Sequence, residues 1–92
     1  MIKSFMHKGL KDFFEHSDGR WLNPGYLKRI KRLLVILDVI EKVDELNYKG
    51  NHLHELKGKR QGTWSVRVSG NWRLTFRFIA GNAFDVNLED YH

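Results

Sequence analysis

Apolar positions recur at helical spacing through the first half of the chain and at every second residue through the last third. Ile2 to Phe5 mixes apolar and polar residues and predicts a short first strand. From His7 to His16, Leu10, Phe13 and Phe14 fall on one side of a helix, so a short amphipathic helix is predicted there. Ser17 to Pro24, with Gly19 and Pro24, reads as a loop. Asn23-Pro24 is a helix start, because Asn caps and a proline in the first turn loses no hydrogen bond. Leu27, Ile30, Leu33 or Leu34, Leu37 and Ile40 then follow at steps of three and four, predicting the longest helix, to about Glu41. Val43 to Asn47 predicts a further helical turn.

After Gly62 the period becomes two. Trp64, Val66 and Val68 alternate with Ser65, Arg67 and Ser69. Trp72, Leu74, Phe76 and Phe78 alternate with Arg73, Thr75, Arg77 and Ile79, and Phe84, Val86 and Leu88 with Asp85, Asn87 and Glu89. Three strands with one apolar face each are predicted, with turns at Gly70-Asn71 and Gly81-Asn82. Parity sets the register. A two-residue loop at Gly70-Asn71 puts Arg67 opposite Leu74 and mixes the faces, whereas a three-residue loop puts Val66 opposite Leu74 and Arg67 opposite Arg73. The same logic at Ala80 to Asn82 puts Phe78 opposite Phe84, Arg77 opposite Asp85 and Arg73 opposite Glu89. The expected architecture is a single α+β domain, residues 1–92, with an antiparallel meander whose apolar face covers the helices and whose polar face is open.

A chain of 92 residues with 41% hydrophobic residues suits one small globular domain and is too apolar for a disordered one. No run of about 18 apolar residues is present to cross a membrane, and the first residues lack the apolar stretch of a signal peptide. The absence of cysteine removes disulfides and thiolate chemistry and fits a cytoplasmic location. A net charge of +5 points to a polyanionic partner, nucleic acid first and an acidic protein second. From Lys57 onward there are six basic and three acidic residues, against ten and eight before it, so the excess lies in the second half. Lys28, Arg29, Lys31 and Arg32 on the long helix form a basic run, either a solvated face or a contact for RNA or a protein.

On the open face Arg67 and Arg73 become cross-strand neighbours, a like-charge arrangement that is unfavourable unless the pair holds an anion. Arg77 lies further along, and Lys57, Lys59 and Arg60 sit in the loop entering the sheet, completing a patch suited to a phosphate backbone. Arg77–Asp85 and Arg73–Glu89 could equally be ordinary surface pairs. RNA cleavage needs a base for the 2′-hydroxyl proton, cations for the phosphorane and an acid for the 5′-oxygen. His54 or His92, then Lys57 and Arg73, then Asp90 with Tyr91 can fill these roles, and Tyr91 could instead stack on a base. A zinc site from His52, His54 and His92 lacks a fourth ligand of characteristic spacing, and no metal or cofactor is called for.

Residues 54 to 78, HELKGKRQGTWSVRVSGNWRLTFRF, with the opening MIKSF and the terminal EDYH, resemble the HigB-type toxins of the RelE/ParE superfamily, also described as plasmid maintenance killer proteins. The likeness runs over essentially the whole chain, and residues 16 to 50 match only in helical character. It implies a RelE-like β-α-α-β-β-β fold and a ribosome-dependent endoribonuclease that cuts messenger RNA in the A site of the 30S subunit without a metal. It also implies a HigA-like helix-turn-helix antitoxin, through which alone operator DNA is bound. The family's site positions fall on His54, Lys57, Arg73, Asp90, Tyr91 and His92. ParE-type members instead poison DNA gyrase on the same fold, and His54 with Asp90-Tyr91-His92 favours the nuclease branch.

Overall fold

The computed structural model describes residues 1–48 and 50–90. Helix α1 spans Lys8–His16 and α2 spans Leu27–Val39, joined through a 3₁₀ turn at Pro24–Tyr26. His7 caps α1: its Nδ1 accepts from the Leu10 N–H at 3.2 Å. Asn23 Oδ1 accepts from the Gly25 N–H at 2.8 Å, so Asn23-Pro24 opens the 3₁₀ turn rather than the α-helix itself. The predicted helical turn after α2 is 3₁₀, Val43–Leu46.

Four strands follow, β1 His54–Glu55, β2 Thr63–Ser69, β3 Trp72–Ile79 and β4 Asn82–Asp90, hydrogen-bonded in that order and all antiparallel. The fold is the expected α+β arrangement, with β1 an additional two-residue edge. Its brevity explains why period-two reasoning does not find it. The first segment is not a regular strand. Ile2 and Phe5 each form one parallel bridge to β4, at Ala83 and Val86.

Bulges set the register. Val66 pairs with Leu74 and Arg67 with Arg73 as expected, yet Ser69 pairs with Trp72 across a two-residue turn. An extra residue on β2, Val68, reconciles the short turn with the face alternation. At the next hairpin Arg73 does pair with Glu89, but Phe78 pairs with Ala83 and Arg77 with Phe84. The expected Phe78–Phe84 and Arg77–Asp85 pairings are thus displaced, because the turn is again two residues, Ala80 and Gly81, both at positive φ. β4 absorbs the mismatch near Asp85, at φ 55°. That bulge turns Phe84 away from the helices while Ala83 and Val86 enter the core. The Asp85 N–H, taken out of the ladder, donates to Ser4 Oγ at 2.8 Å.

The core lies between the helices and one face of the sheet. Leu10, Ile30, Leu33, Leu34 and Leu37 meet Val66, Leu74, Phe76, Ala83 and Val86, all fully buried or nearly so. One polar residue is as deep. Asn51 is 0% exposed, its Nδ2 donates to Leu46 O at 2.9 Å and its Oδ1 accepts from Arg29 at 2.9 Å. Arg29 also donates to Arg67 O at 2.8 Å, and the Arg67 N–H donates to Asn51 O at 2.7 Å. One member of the α2 basic run therefore fastens α2 to the segment before β1 and to β2. Lys28, Lys31 and Arg32 remain exposed.

Candidate functional site

Cross-strand partners share a face of the sheet. The register therefore lays out rows on the side away from the helices: His54, Ser65, Thr75 and Asn87 in one, Arg67, Arg73 and Glu89 in the next. With strands about 4.8 Å apart and about 3.3 Å per residue along them, the Cα atoms of His54 and Arg73 stand about 12 Å apart. Two long side chains can meet on one phosphate across that gap.

His54 is exposed, and its Nδ1 lies 2.9 Å from His52 O. A carbonyl oxygen only accepts, so Nδ1 carries the hydrogen and the neutral ring leaves Nε2 with a lone pair. Lys57 stands at the mouth of the loop between β1 and β2, exposed and without an ion pair among the described residues. It lines a hollow of about 330 Å³ with Glu55, Leu56, Gly58 and Gln61. The loop takes its shape from Gly58 and Gly62, at φ 69° and 95°, which a side chain would strain. The Gly62 N–H is satisfied by the Glu55 carboxylate at 2.8 Å.

Arg73, half-buried, directs a terminal nitrogen to Gly70 O at 3.2 Å. Arg67 opposite it is exposed, as are Lys59 and Arg77. Asp90 ends β4 opposite Trp72, one step from Arg73. Tyr91 and His92 lie outside the described residues. Among the described residues no three His, Asp or Glu side chains lie close enough to hold a metal ion.

The polar face is less bare than its sequence pattern suggests. Ser65 and Thr75 are buried, at 2% and 4% exposed. Arg60 folds back from the loop and forms a two-pronged pair with Glu89, at 2.9 and 2.6 Å, and the Thr75 hydroxyl donates to the same carboxylate. Arg77–Asp85 is not an ion pair among the described residues. Arg60 and Glu89 lie far apart in sequence, so nothing local signals their meeting. The clasp walls a cleft of about 330 Å³ together with Thr75, Arg77, Asn87 and Met6.

The Arg60 guanidinium, with help from the Thr75 hydroxyl and against partial burial, holds the Glu89 carboxyl below its usual range. A carboxylate with a lowered folded pKa stabilises in full above the unfolded value near 4.5 and loses that contribution as pH falls through the folded value. The thermal midpoint of the wild type should therefore fall more steeply, as the pH drops below the unfolded value near 4.5, than that of Glu89→Gln. Parallel curves would deny the clasp any role in stability. At neutral pH, Glu89→Ala should cost about 2 kcal/mol, because Thr75 is left buried without its acceptor. Arg60→Ala should cost less, about 1 kcal/mol or below, since Arg60 is half exposed and solvent screens the pair. Denaturant melts of both variants read this difference.

Comparison with known proteins shows the family. A family model described as the RelE-like toxin of the type II toxin–antitoxin system HigB matches residues 3–92. The chain is 47% identical over 92 residues, the whole of both chains, to a protein of Proteus vulgaris named Endoribonuclease HigB. It is 30% identical over 93 residues to Toxin HigB-1 of Vibrio cholerae serotype O1, strain ATCC 39315 / El Tor Inaba N16961, covering 99% of this chain and 98% of that one.

Proposed function

Since the chain belongs to the HigB family of RelE-like toxins of type II toxin–antitoxin systems, we propose that it is an endoribonuclease that cuts messenger RNA in the ribosomal A site. The observation that carries this reading is the convergence of His54, with its free Nε2, and the Arg67–Arg73 pair on one face of the sheet. The full-length likeness to a protein named as an endoribonuclease supports it.

His54 Nε2, or His92 at the chain end, takes the proton of the ribose 2′-hydroxyl. The 2′-oxygen attacks phosphorus, and Lys57 and Arg73 stabilise the negative charge gathering on the non-bridging oxygens. Asp90, Tyr91 or His92 returns a proton to the departing 5′-oxygen, leaving a 2′,3′-cyclic phosphate and a 5′-hydroxyl. Attack from the substrate's own 2′-oxygen requires no metal-activated water, so the reaction is read as metal-independent. Lys59, Arg67 and Arg77 hold the backbone on either side. Arg60, engaged by Glu89, fixes the loop that carries Lys57, and contacts phosphate from that position.

The cleavage is read as ribosome-dependent, because a base as exposed as His54 would by itself orient a flexible message poorly. Exposed Lys3, Lys8, Lys28, Lys31 and Arg32 offer contacts for ribosomal RNA that would supply the missing order. A type II toxin has an antitoxin partner, here read as a HigA-like helix-turn-helix protein that alone contacts operator DNA. Both act in the cytoplasm. No described helix is long and apolar enough to cross a membrane.

Mapping the 5′ ends of cellular messenger RNA after induction tests the reading. New in-frame cuts within coding regions, absent on induction of His54→Ala, are expected. Growth arrest with intact transcripts and altered plasmid supercoiling would instead assign the protein to the gyrase-inhibiting branch.

A further inference from the structure

Past the outer edge of β4 the molecule carries a further hollow, of about 560 Å³, lined by Met6, His7, Lys8, Gly9, Trp21 and Asn87. Its wall is an indole in water: Trp21 is 66% exposed, whereas the next residue, Leu22, is 6% exposed and belongs to the core. A tryptophan left in solvent forgoes the large burial that normally justifies it. The support beneath Trp21 is nevertheless fixed. The Leu22 N–H donates to Gly19 O at 3.1 Å, and Gly9 in the first turn of α1 leaves room for the root of the Trp21 side chain. A Cβ on Gly9 would come within 2.9 Å of Trp21 Cβ and 2.9 Å of the His7 ring. Glycine is a poor helix former compared with alanine, and close approach of the Trp21 loop is what it permits here.

The hollow adjoins the candidate site. Met6 and Asn87 line both it and the cleft walled by Arg60 and Glu89. Asn87 is also the last member of the row that begins at His54, about 14 Å away across four strands. Among the described residues no acidic side chain lines the hollow, and at its rim Lys8, whose exposed ammonium lies 3.2 Å from Asp12 in the next turn of α1, contributes a cation.

We propose that Trp21 is a base-stacking subsite for single-stranded RNA, receiving a nucleobase that flanks the cut linkage as the strand crosses the sheet from His54 toward α1. The inference rests on the nuclease reading and adds a contact to it. A flat indole face accepts any base, Met6 offers a polarisable thioether beside it, and Lys8 can pair with the adjoining phosphate.

The test is binding of a 2′-O-methyl RNA oligonucleotide, which offers no 2′-hydroxyl for attack, to the wild type, Trp21→Ala, Trp21→Phe and Lys57→Ala. Trp21→Ala should weaken binding about tenfold, and Trp21→Phe should retain most of it. On a strand of the same length built from abasic units, wild type and Trp21→Ala should bind alike. Because the ring is exposed, the thermal midpoints should coincide. Trp21→Ala that binds like wild type, while Lys57→Ala is weakened, overturns the subsite and leaves the nuclease reading standing. If Trp21→Ala binds RNA normally but releases the antitoxin, the hollow belongs to that protein and the proposal is wrong. A wild type that does not bind the strand also overturns it, while 5′-end mapping judges the nuclease reading separately.

Discussion

Replacing Arg73 by alanine is expected to slow RNA cleavage by about 10²–10³-fold, the usual cost of removing one preorganised donor to a developing oxyanion. The size of the effect follows from where Arg73 sits. It occupies the third of the four strands, between Arg67 on one side and Glu89 on the other, and one of its terminal nitrogens is anchored on Gly70 O. A guanidinium held this way is already in place before charge builds on the phosphate, so no reorganisation is needed at the moment of attack. The like-charged neighbour Arg67 raises the local potential at some expense in stability, an arrangement that makes sense where an anion is to be bound. Arg73→Lys should recover only part of the rate, since an ammonium lacks the planar fork. His92→Gln is expected to remove toxicity as well. Single-turnover cutting on programmed ribosomes, with the thermal midpoint as a check on folding, measures these losses. A folded Arg73→Ala that cuts within about threefold of wild type would remove Arg73 from the chemistry.

The largest expected loss of stability comes from a residue with no part in that chemistry. Asn51→Ala should destabilise the protein by about 3 kcal/mol, because it removes two hydrogen bonds of a fully buried side chain, one of them charge-assisted: the donation to the Leu46 carbonyl and the acceptance from the Arg29 guanidinium. In a domain of this size such a change lowers the thermal midpoint by roughly 12–24 °C. Asn51→Asp offers an informative contrast. It keeps an acceptor for Arg29 but loses the donor to Leu46 O, so it should fall between alanine and wild type near neutral pH. The site face should feel the loss too, because Arg29 and Asn51 together hold Arg67's backbone. A calorimetric midpoint for Asn51→Ala within about 3 °C of wild type would show the network to be dispensable.

Much of this architecture is legible in the residue pattern. Helical spacing locates α1 and α2, and period two locates β2, β3 and β4, because each element buries one face against the same core. The Arg67–Arg73 pairing is recoverable from parity alone, since only that register keeps Val66 and Leu74 on the buried side. Parity then fails at Phe84, where a bulge at Asp85 inserts one residue and reverses the alternation, and period-two reasoning has no way to count an extra residue. The site is legible as residue types and incomplete as an arrangement. His54 and the basic loop are visible in sequence, but the clasp of Arg60 on Glu89 brings together residues separated by a whole hairpin. Nothing in the residue pattern marks Asn51, whose buried side chain finds its partner in the Arg29 guanidinium arriving from α2. Trp21 falls in the segment read only as a loop, and its exposure becomes visible only in the fold.

The chemistry itself is tested most directly by removing one atom from the substrate. A message carrying a single 2′-deoxyribose at the cut nucleotide, presented on ribosomes to the wild-type protein, should not be cut there, while the all-ribose message yields a 2′,3′-cyclic phosphate and a 5′-hydroxyl. Cutting at the deoxy position, or a 5′-phosphate on the product, would show that the 2′-oxygen is not the nucleophile and that the roles given to His54, Lys57 and Arg73 are wrong.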